Sequence, residues 1–173
     1  QVYCDTHAAD SDSQIIYSSG TFSVLVRNGT SMKNHPAVEV SWYGAMAFCN
    51  YYGWRLPTEW EWQAVADYDG SYTYGCGIVL DQNKANYEDA KPLNLNSEPY
   101  TNPVSYYPPY GYGLNDLAGN VWEWTDSWYS DSETQRVRRG GAWHWYDYLC
   151  EVSHRSPHDP TGTHGGMGFR ACR

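Results

Sequence analysis

A chain of 173 residues can bury one real core and sits within the usual size of one domain, so a single domain spanning residues 1–173 is expected. Its 20 Asp and Glu against 11 Lys and Arg give a net charge of -9, which repels phosphate backbones and argues against nucleic acid as a partner. Aromatic residues make up 17% of the chain, with 17 Tyr and 9 Trp against 3 Phe, so most rings carry a polar tip suited to wet core edges and binding surfaces.

No apolar run approaches the length of a membrane span, and no basic, apolar leader opens at Gln1, so a soluble fragment or mature form without membrane insertion is expected. Five cysteines, Cys4, Cys49, Cys76, Cys150 and Cys172, are too few and too scattered for a disulfide scaffold and contain no CxxC pair for zinc. Their odd number leaves at least one thiol free or paired outside the chain.

The first thirty or so residues read as irregular until Tyr17–Val26, which alternates as a strand with Gly20 at a bend. Ser41 can cap a helix over Ser41–Tyr52, whose apolar positions Trp42, Ala45, Met46, Phe48 and Cys49 recur at helical spacing before Gly53, the left-handed stop. Thr58, followed by Glu59 and Glu61, opens a second helix to about Asp67. Residues 69–113 are rich in Gly, Asn, Pro and Tyr with no sustained period. A structured loop of that length is either functional or held by something other than ladder hydrogen bonds, such as an ion or stacked aromatics. Short strands are predicted at Val121–Trp124, Val137–Trp143 and Gly168–Cys172.

Several separated segments together resemble the sulfatase-modifying-factor family, which contains the formylglycine-generating enzymes. They are Val40-Ser41-Trp42-Tyr43 with Ala45 and Cys49-Asn50, Arg55-Leu56-Pro57-Thr58-Glu59 with Glu61-Trp62, Tyr112-Gly113-Leu114 through Ala118-Gly119-Asn120-Val121-Trp122-Glu123-Trp124, Arg136-Val137 with Arg139-Gly140-Gly141, and Gly168-Phe169-Arg170. Order and spacing agree from Pro36 to Arg173, about four fifths of the chain. The resemblance implies an α+β, C-type lectin-like fold of the formylglycine-generating-enzyme type, with two helices, short irregular antiparallel strands and long loops.

Gly119 and Asn120 permit a tight turn with positive φ, and the alternating tryptophans can anchor a strand end on the core. Beside this structural reading, the resemblance implies a structural calcium site, with side chains from Asp116 and Glu123 and carbonyls from Gly119 and Val121. A further family site would fall near Asn86 and Tyr87. Cys49 and Cys172 fall near positions bridged in some relatives, with Cys172 displaced by one residue, so the resemblance leaves a disulfide between them open.

The enzymes of this family bind copper through two cysteines after Gly-Gly-Ser and oxidise a substrate cysteine with oxygen. Here the segment runs Gly140-Gly141-Ala142-Trp143-His144-Trp145-Tyr146-Asp147-Tyr148-Leu149-Cys150, with Trp145 at the first cysteine position, Cys150 at the second and Ala142 for the serine. One thiol of the pair is absent, so neither copper nor enzymatic activity is expected. A copper-dependent formylglycine-generating or related oxidase is the alternative. The six histidines include no HExxH, and the apolar and acidic neighbours of Cys150 raise a thiol pKa, which favours a buried structural cysteine.

Residues 143–166 combine Tyr, His, Ser, Asp, Thr, Gly and Pro with no Lys and no Gln, the contents of a paratope. The segment lies between two structural motifs, Arg139-Gly140-Gly141 and Gly168-Phe169-Arg170, near the end of the chain. This pattern resembles the variable proteins of diversity-generating retroelements, where copying errors at template adenines yield such residues. Trp145 and Glu151 do not fit that coding. The resemblance implies a receptor- or adhesion-type protein whose diversified segment binds a macromolecule, expected to be a protein, and which is surface-displayed or virion-associated. Trp145, Tyr146, Tyr148 and His154 are the expected anchors, and His144, Asp147, Ser156, His158, Asp159 and His164 would set specificity. The bland alternative is a polar surface loop.

Overall fold

The computed structural model describes residues 12–93 and 95–173, so Cys4, His7 and the first part of the N-terminal stretch lie outside it. Strands β1 (Ile15–Ser18) and β2 (Thr21–Val24) form a hairpin. Its two turn residues, Ser19 and Gly20, both have positive φ, which matches the right-handed twist of paired strands. The bend expected at Gly20 is therefore a complete reversal. Two short strands, β3 (Val26–Arg27) and β4 (Thr30–Ser31), pair next.

Helix α1 spans Trp42–Tyr52, with the Ser41 side chain accepting from the Gly44 N–H and Gly53 left-handed at its C-terminus. Trp42, Ala45 and Cys49 are buried on one face. Phe48, expected among the core positions, lies 43% exposed and packs against the Phe169 ring at 5.3 Å. Helix α2 spans Glu59–Ala66 and begins with a complete capping box, in which the Thr58 hydroxyl accepts from the Glu61 N–H and the Glu61 carboxylate accepts from the Thr58 N–H. Thr58→Ala is expected to lower unfolding free energy by about 1 kcal/mol, measurable by urea titration with an unchanged slope.

The central sheet runs β7-β6-β5-β8, with β5 at Trp122–Trp128, β6 at Arg136–Arg139, β7 at Ser156–His158 and β8 at Met167–Phe169. Its β5/β6 and β6/β7 pairs are antiparallel, whereas β8 runs parallel to β5, which departs from the expectation of antiparallel strands throughout. Strand β6 stops at Arg139 and does not reach Trp143, because Gly140 and Gly141 both take positive φ and turn the chain out of the sheet. At Gly141 a side chain would collide with the Cys150 sulfur.

Tryptophans fill the core. Trp42, Trp122 and Trp124 pack with Leu56, Ala142 and Met167 between α1 and the sheet, while Trp62 packs with Leu117 and Val152 beneath α2. Several tryptophan rings also tie an N–H: Trp42 to the Thr125 carbonyl at 3.0 Å, Trp124 to that of Val40 at 2.8 Å and the buried Trp143 to that of Gly165 at 3.1 Å.

No helix or strand is assigned among the described residues of 69–113. Buried asparagines hold this region instead. Asn120, with its predicted positive φ, accepts from the Asn102 N–H at 2.9 Å, and Asn86 donates to the Tyr100 carbonyl at 2.7 Å. Gly119 passes so close to Asn86 that a Cβ would strike its carbonyl oxygen. Among the described residues no helix is long and apolar enough to cross a membrane.

Candidate ligand-binding site

The 143–166 segment is bound to the frame along its whole length. Trp143 N–H donates to the Asn120 carbonyl at 3.0 Å, Val152 N–H to that of Thr73 at 2.9 Å, and the Pro160 and His164 carbonyls accept from Trp42 and Glu39. In the middle, Arg155 grips the buried Glu59 carboxylate with two hydrogen bonds of 2.5 and 2.7 Å. A loop fixed this often loses little conformational freedom when it meets a ligand.

Between these ties the side chains fall into groups. Tyr146 and Tyr148 are 58% and 54% exposed, and their rings stack at 6.2 Å with planes 15° apart. Tyr146 caps and Tyr148 lies within a 3-10 turn over Asp147–Cys150, in which the Asp147 carboxylate accepts from the Tyr148 N–H at 2.8 Å. His154 meets Tyr148 edge-on at 6.5 Å and lies 6.0 Å from Trp122. His144 and His164 stack at 4.7 Å. Ser156 and His158 sit on β7, Ser156 accepting from Arg138 and His158 lying 5.9 Å from Trp124.

Two of the predicted contact residues do other work. Trp145, expected as an anchor, is half-buried against the main core cluster. The Asp159 carboxylate closes its own turn by accepting from the Thr161 N–H at 2.8 Å and hydroxyl at 2.7 Å. Burial lowers the His154 and His158 pKa values, and takes that of His144 down to about 4 with help from neighbouring His164, Arg138 and Lys91.

The expected calcium donors do not fit that ion. Both oxygens of Glu123 are engaged, Oε1 by Arg170 at 2.5 Å and Oε2 by Arg170 and the Trp62 indole at 2.6 Å each. Arg170 also donates to the Asn115 carbonyl, and the Asp116 carboxylate accepts from the Ser105 N–H at 3.0 Å. A guanidinium thus already supplies the positive charge that Glu123 needs and occupies both of its oxygens, which a hard cation would otherwise claim. At the further site, the Asn86 side-chain N–H donates to the Tyr100 carbonyl at 2.7 Å, and its Oδ1 is buried without a hydrogen-bond partner.

Cys150 is fully buried, and burial first, then neighbouring Cys76, pushes its thiol up to about 12. Sequence spacing gave no hint of Cys76, which the fold brings into the same core cluster from residues 74 positions away. Cys49 and Cys172 are both free thiols, so the disulfide left open above is not formed. Sequence reasoning also missed Arg138. Alternation along β6 would place Arg136 and Arg138 on one face, but the choice of face needed the sheet order.

The family of sulfatase-modifying factor enzyme 1-like domains matches residues 13–173. The serine/threonine-protein kinase pkn1 of Chlamydia caviae is 34% identical over 94% of this chain, which spans 27% of that protein. The formylglycine-generating enzyme of Mus musculus is 34% identical over 80% of this chain, which spans 44% of that protein. Among solved structures, Treponema denticola variable protein 1 superposes with a TM-score of 0.74 at 23% identity, over 98% of this chain and 80% of that one, which establishes a shared fold. The expectation that the chain is not an enzyme is overturned by relatives 32–35% identical that are named formylglycine-generating enzymes, since the missing cysteine removes one ligand without removing the chain from an enzyme family. On these matches, the chain belongs to the sulfatase-modifying factor enzyme 1-like domain family.

Proposed function

We propose that residues 143–166 display a diversified ligand-binding face that takes a protein partner. The observation that carries this reading is the Tyr146 and Tyr148 pair, two stacked rings more than half exposed on a loop pinned to a rigid frame. Rigid amphipathic rings offer contact area at small entropic cost, and stacking fixes them before the partner arrives. The fold shared with a variable protein of Treponema denticola supports the same reading.

The surrounding DNA tests diversification. The expected result is a near-copy of the final coding segment that differs only at adenines, beside a reverse transcriptase gene, with differences concentrated in codons for residues such as Tyr146, Asp147, Tyr148 and His154. Changes spread evenly over α1 and the central sheet would overturn it.

The relatives named formylglycine-generating enzymes favour a second reading, copper-dependent oxidation of a cysteine peptide. Cys150, with Cys76 in the same cluster, is the thiol that reading would use. Oxygen uptake on adding copper and a cysteine peptide, abolished by Cys150→Ser, would establish it. The absence of uptake would leave binding as the activity of this face.

A further inference from the structure

Among the described residues, Arg138 is a half-buried cation without a counter-ion. Arg136, Arg155 and Arg170 each face a carboxylate, but among the described residues no Asp or Glu pairs with Arg138. Its Nε donates to the Ser156 hydroxyl at 3.1 Å, one Nη reaches the Met167 sulfur at 3.3 Å, and its guanidinium lies 4.8 Å over the Trp122 ring. Neither Ser156 nor Met167 carries charge. A fork with so little of its donor capacity satisfied, in a chain of net charge -9, is an unusual local excess of positive potential.

The groups around it also lack partners. Trp122 is 1% exposed and its indole N–H makes no hydrogen bond, and neither ring nitrogen of His144 is satisfied. A buried donor left unmade costs as much as a lost hydrogen bond, so these atoms mark a place where an acceptor from outside the chain would be stabilised. His154 stands 6.0 Å from Trp122, next to the exposed tyrosines.

We propose that Arg138, with Trp122 and the neighbouring imidazoles, forms an oxyanion subsite beneath the tyrosine face, and that it receives one carboxylate of a protein ligand, from an acidic side chain or a C-terminus. The inference rests on the binding reading above and specifies its chemistry. A planar guanidinium matches a carboxylate in bidentate geometry. Burial favours the neutral form of His144, His154 and His158, so among these side chains Arg138 is the one that brings a positive charge to the ligand.

The pH response follows from the same groups. A bound carboxylate raises the pKa of each imidazole it faces, so its affinity grows as pH falls through those raised values. Arg139 and Arg138 oppose protonation of His154 while Glu151 favours it, Arg138 and His164 oppose protonation of His158 while Asp159 favours it, and His164, Arg138 and Lys91 oppose it at His144. Among the described residues, burial is the largest cause and Arg138 opposes protonation at all three rings, so both favour the neutral imidazoles until an anion arrives.

The probe is sodium acetate, titrated into the isotopically labelled chain at constant ionic strength, with the Trp122 indole N–H and the histidine ring signals as readout. Saturable shifts are expected in the wild type, with affinity rising from pH 7 to pH 5, and a loss of roughly tenfold or more in Arg138→Gln, as for removal of a charged hydrogen-bond donor. Arg138→Lys, which keeps the charge and loses the fork, should bind more weakly than the wild type, and it decides the matter if Arg138→Gln does not fold. Absence of saturable shifts, or shifts that persist unchanged in either variant, would overturn the subsite. Tighter binding of phosphate than acetate at pH 7 would overturn the carboxylate assignment. Because acetate does not touch the tyrosine face, failure here leaves the paratope reading to its own test.

Discussion

Glu123→Ala is expected to lower stability by about 3–5 kcal/mol, the usual cost of stranding the partner of a buried ion pair, and to drop the thermal midpoint by about 10 °C. Glu123 is 5% exposed and lies on β5 at the meeting of α2, the sheet and the C-terminal strand. Its two oxygens hold the Arg170 fork and the Trp62 indole, so one truncation leaves a guanidinium and a buried N–H unmade together. Glu123→Gln should fall between the two, because an amide still accepts from the indole but no longer balances the charge. The same variants decide the calcium question. With Arg170 as the counter-cation, chelation with EGTA should leave the wild-type midpoint within about 1 °C, because nothing that binds the native state has been removed. A fall of several degrees with EGTA, absent in Glu123→Ala, would instead restore Glu123 as a metal ligand.

What the sequence showed best was what local chemistry decides. Ser41 and Gly53 bracket α1 as predicted, and Thr58 with Glu61 opens α2, because caps are satisfied within three or four residues of themselves. The positive φ at Gly119 and Asn120 was legible for the same reason. Less legible was whatever depends on distant partners. That β8 runs parallel to β5, or that Phe48 faces outward, follows from sheet order and packing, to which a helical or alternating period is blind.

The site divides along the same line. Composition found the 143–166 segment, and its tyrosines do lie at the surface. It did not show that Trp145 belongs to the core or that the Asp159 carboxylate is consumed by its own turn. Arg138 was invisible for a sharper reason: it lies outside the segment, on a strand that read as framework, and its significance rests on the lack of a carboxylate partner among the described residues. Only the fold fixes that neighbourhood. Glu123 shows the converse, since a carboxylate in a family calcium motif is a structural counter-ion once Arg170 is brought 47 residues back to meet it.

Tyr146→Ala combined with Tyr148→Ala is expected to abolish recognition of the protein ligand while moving the thermal midpoint by less than about 2 °C. The asymmetry follows from where the rings sit. Each is more than half exposed, and the turn beneath them is held by backbone contacts that survive truncation, the Leu149 N–H to the Tyr146 carbonyl at 3.1 Å among them. In a complex, the same rings would be desolvated at the centre of the contact, where tyrosine truncation costs about 2 kcal/mol or more, roughly thirtyfold in affinity for each ring. Titration of a purified ligand recovered on the immobilised wild-type chain, alongside thermal unfolding of both proteins, separates the two effects. Single variants should each lose affinity by less than the double variant, and Tyr148→Ala should also loosen His154, which its edge supports at 6.5 Å. A double variant that unfolds would make the tyrosines part of the frame, and one that binds unchanged would place the contact elsewhere on the molecule.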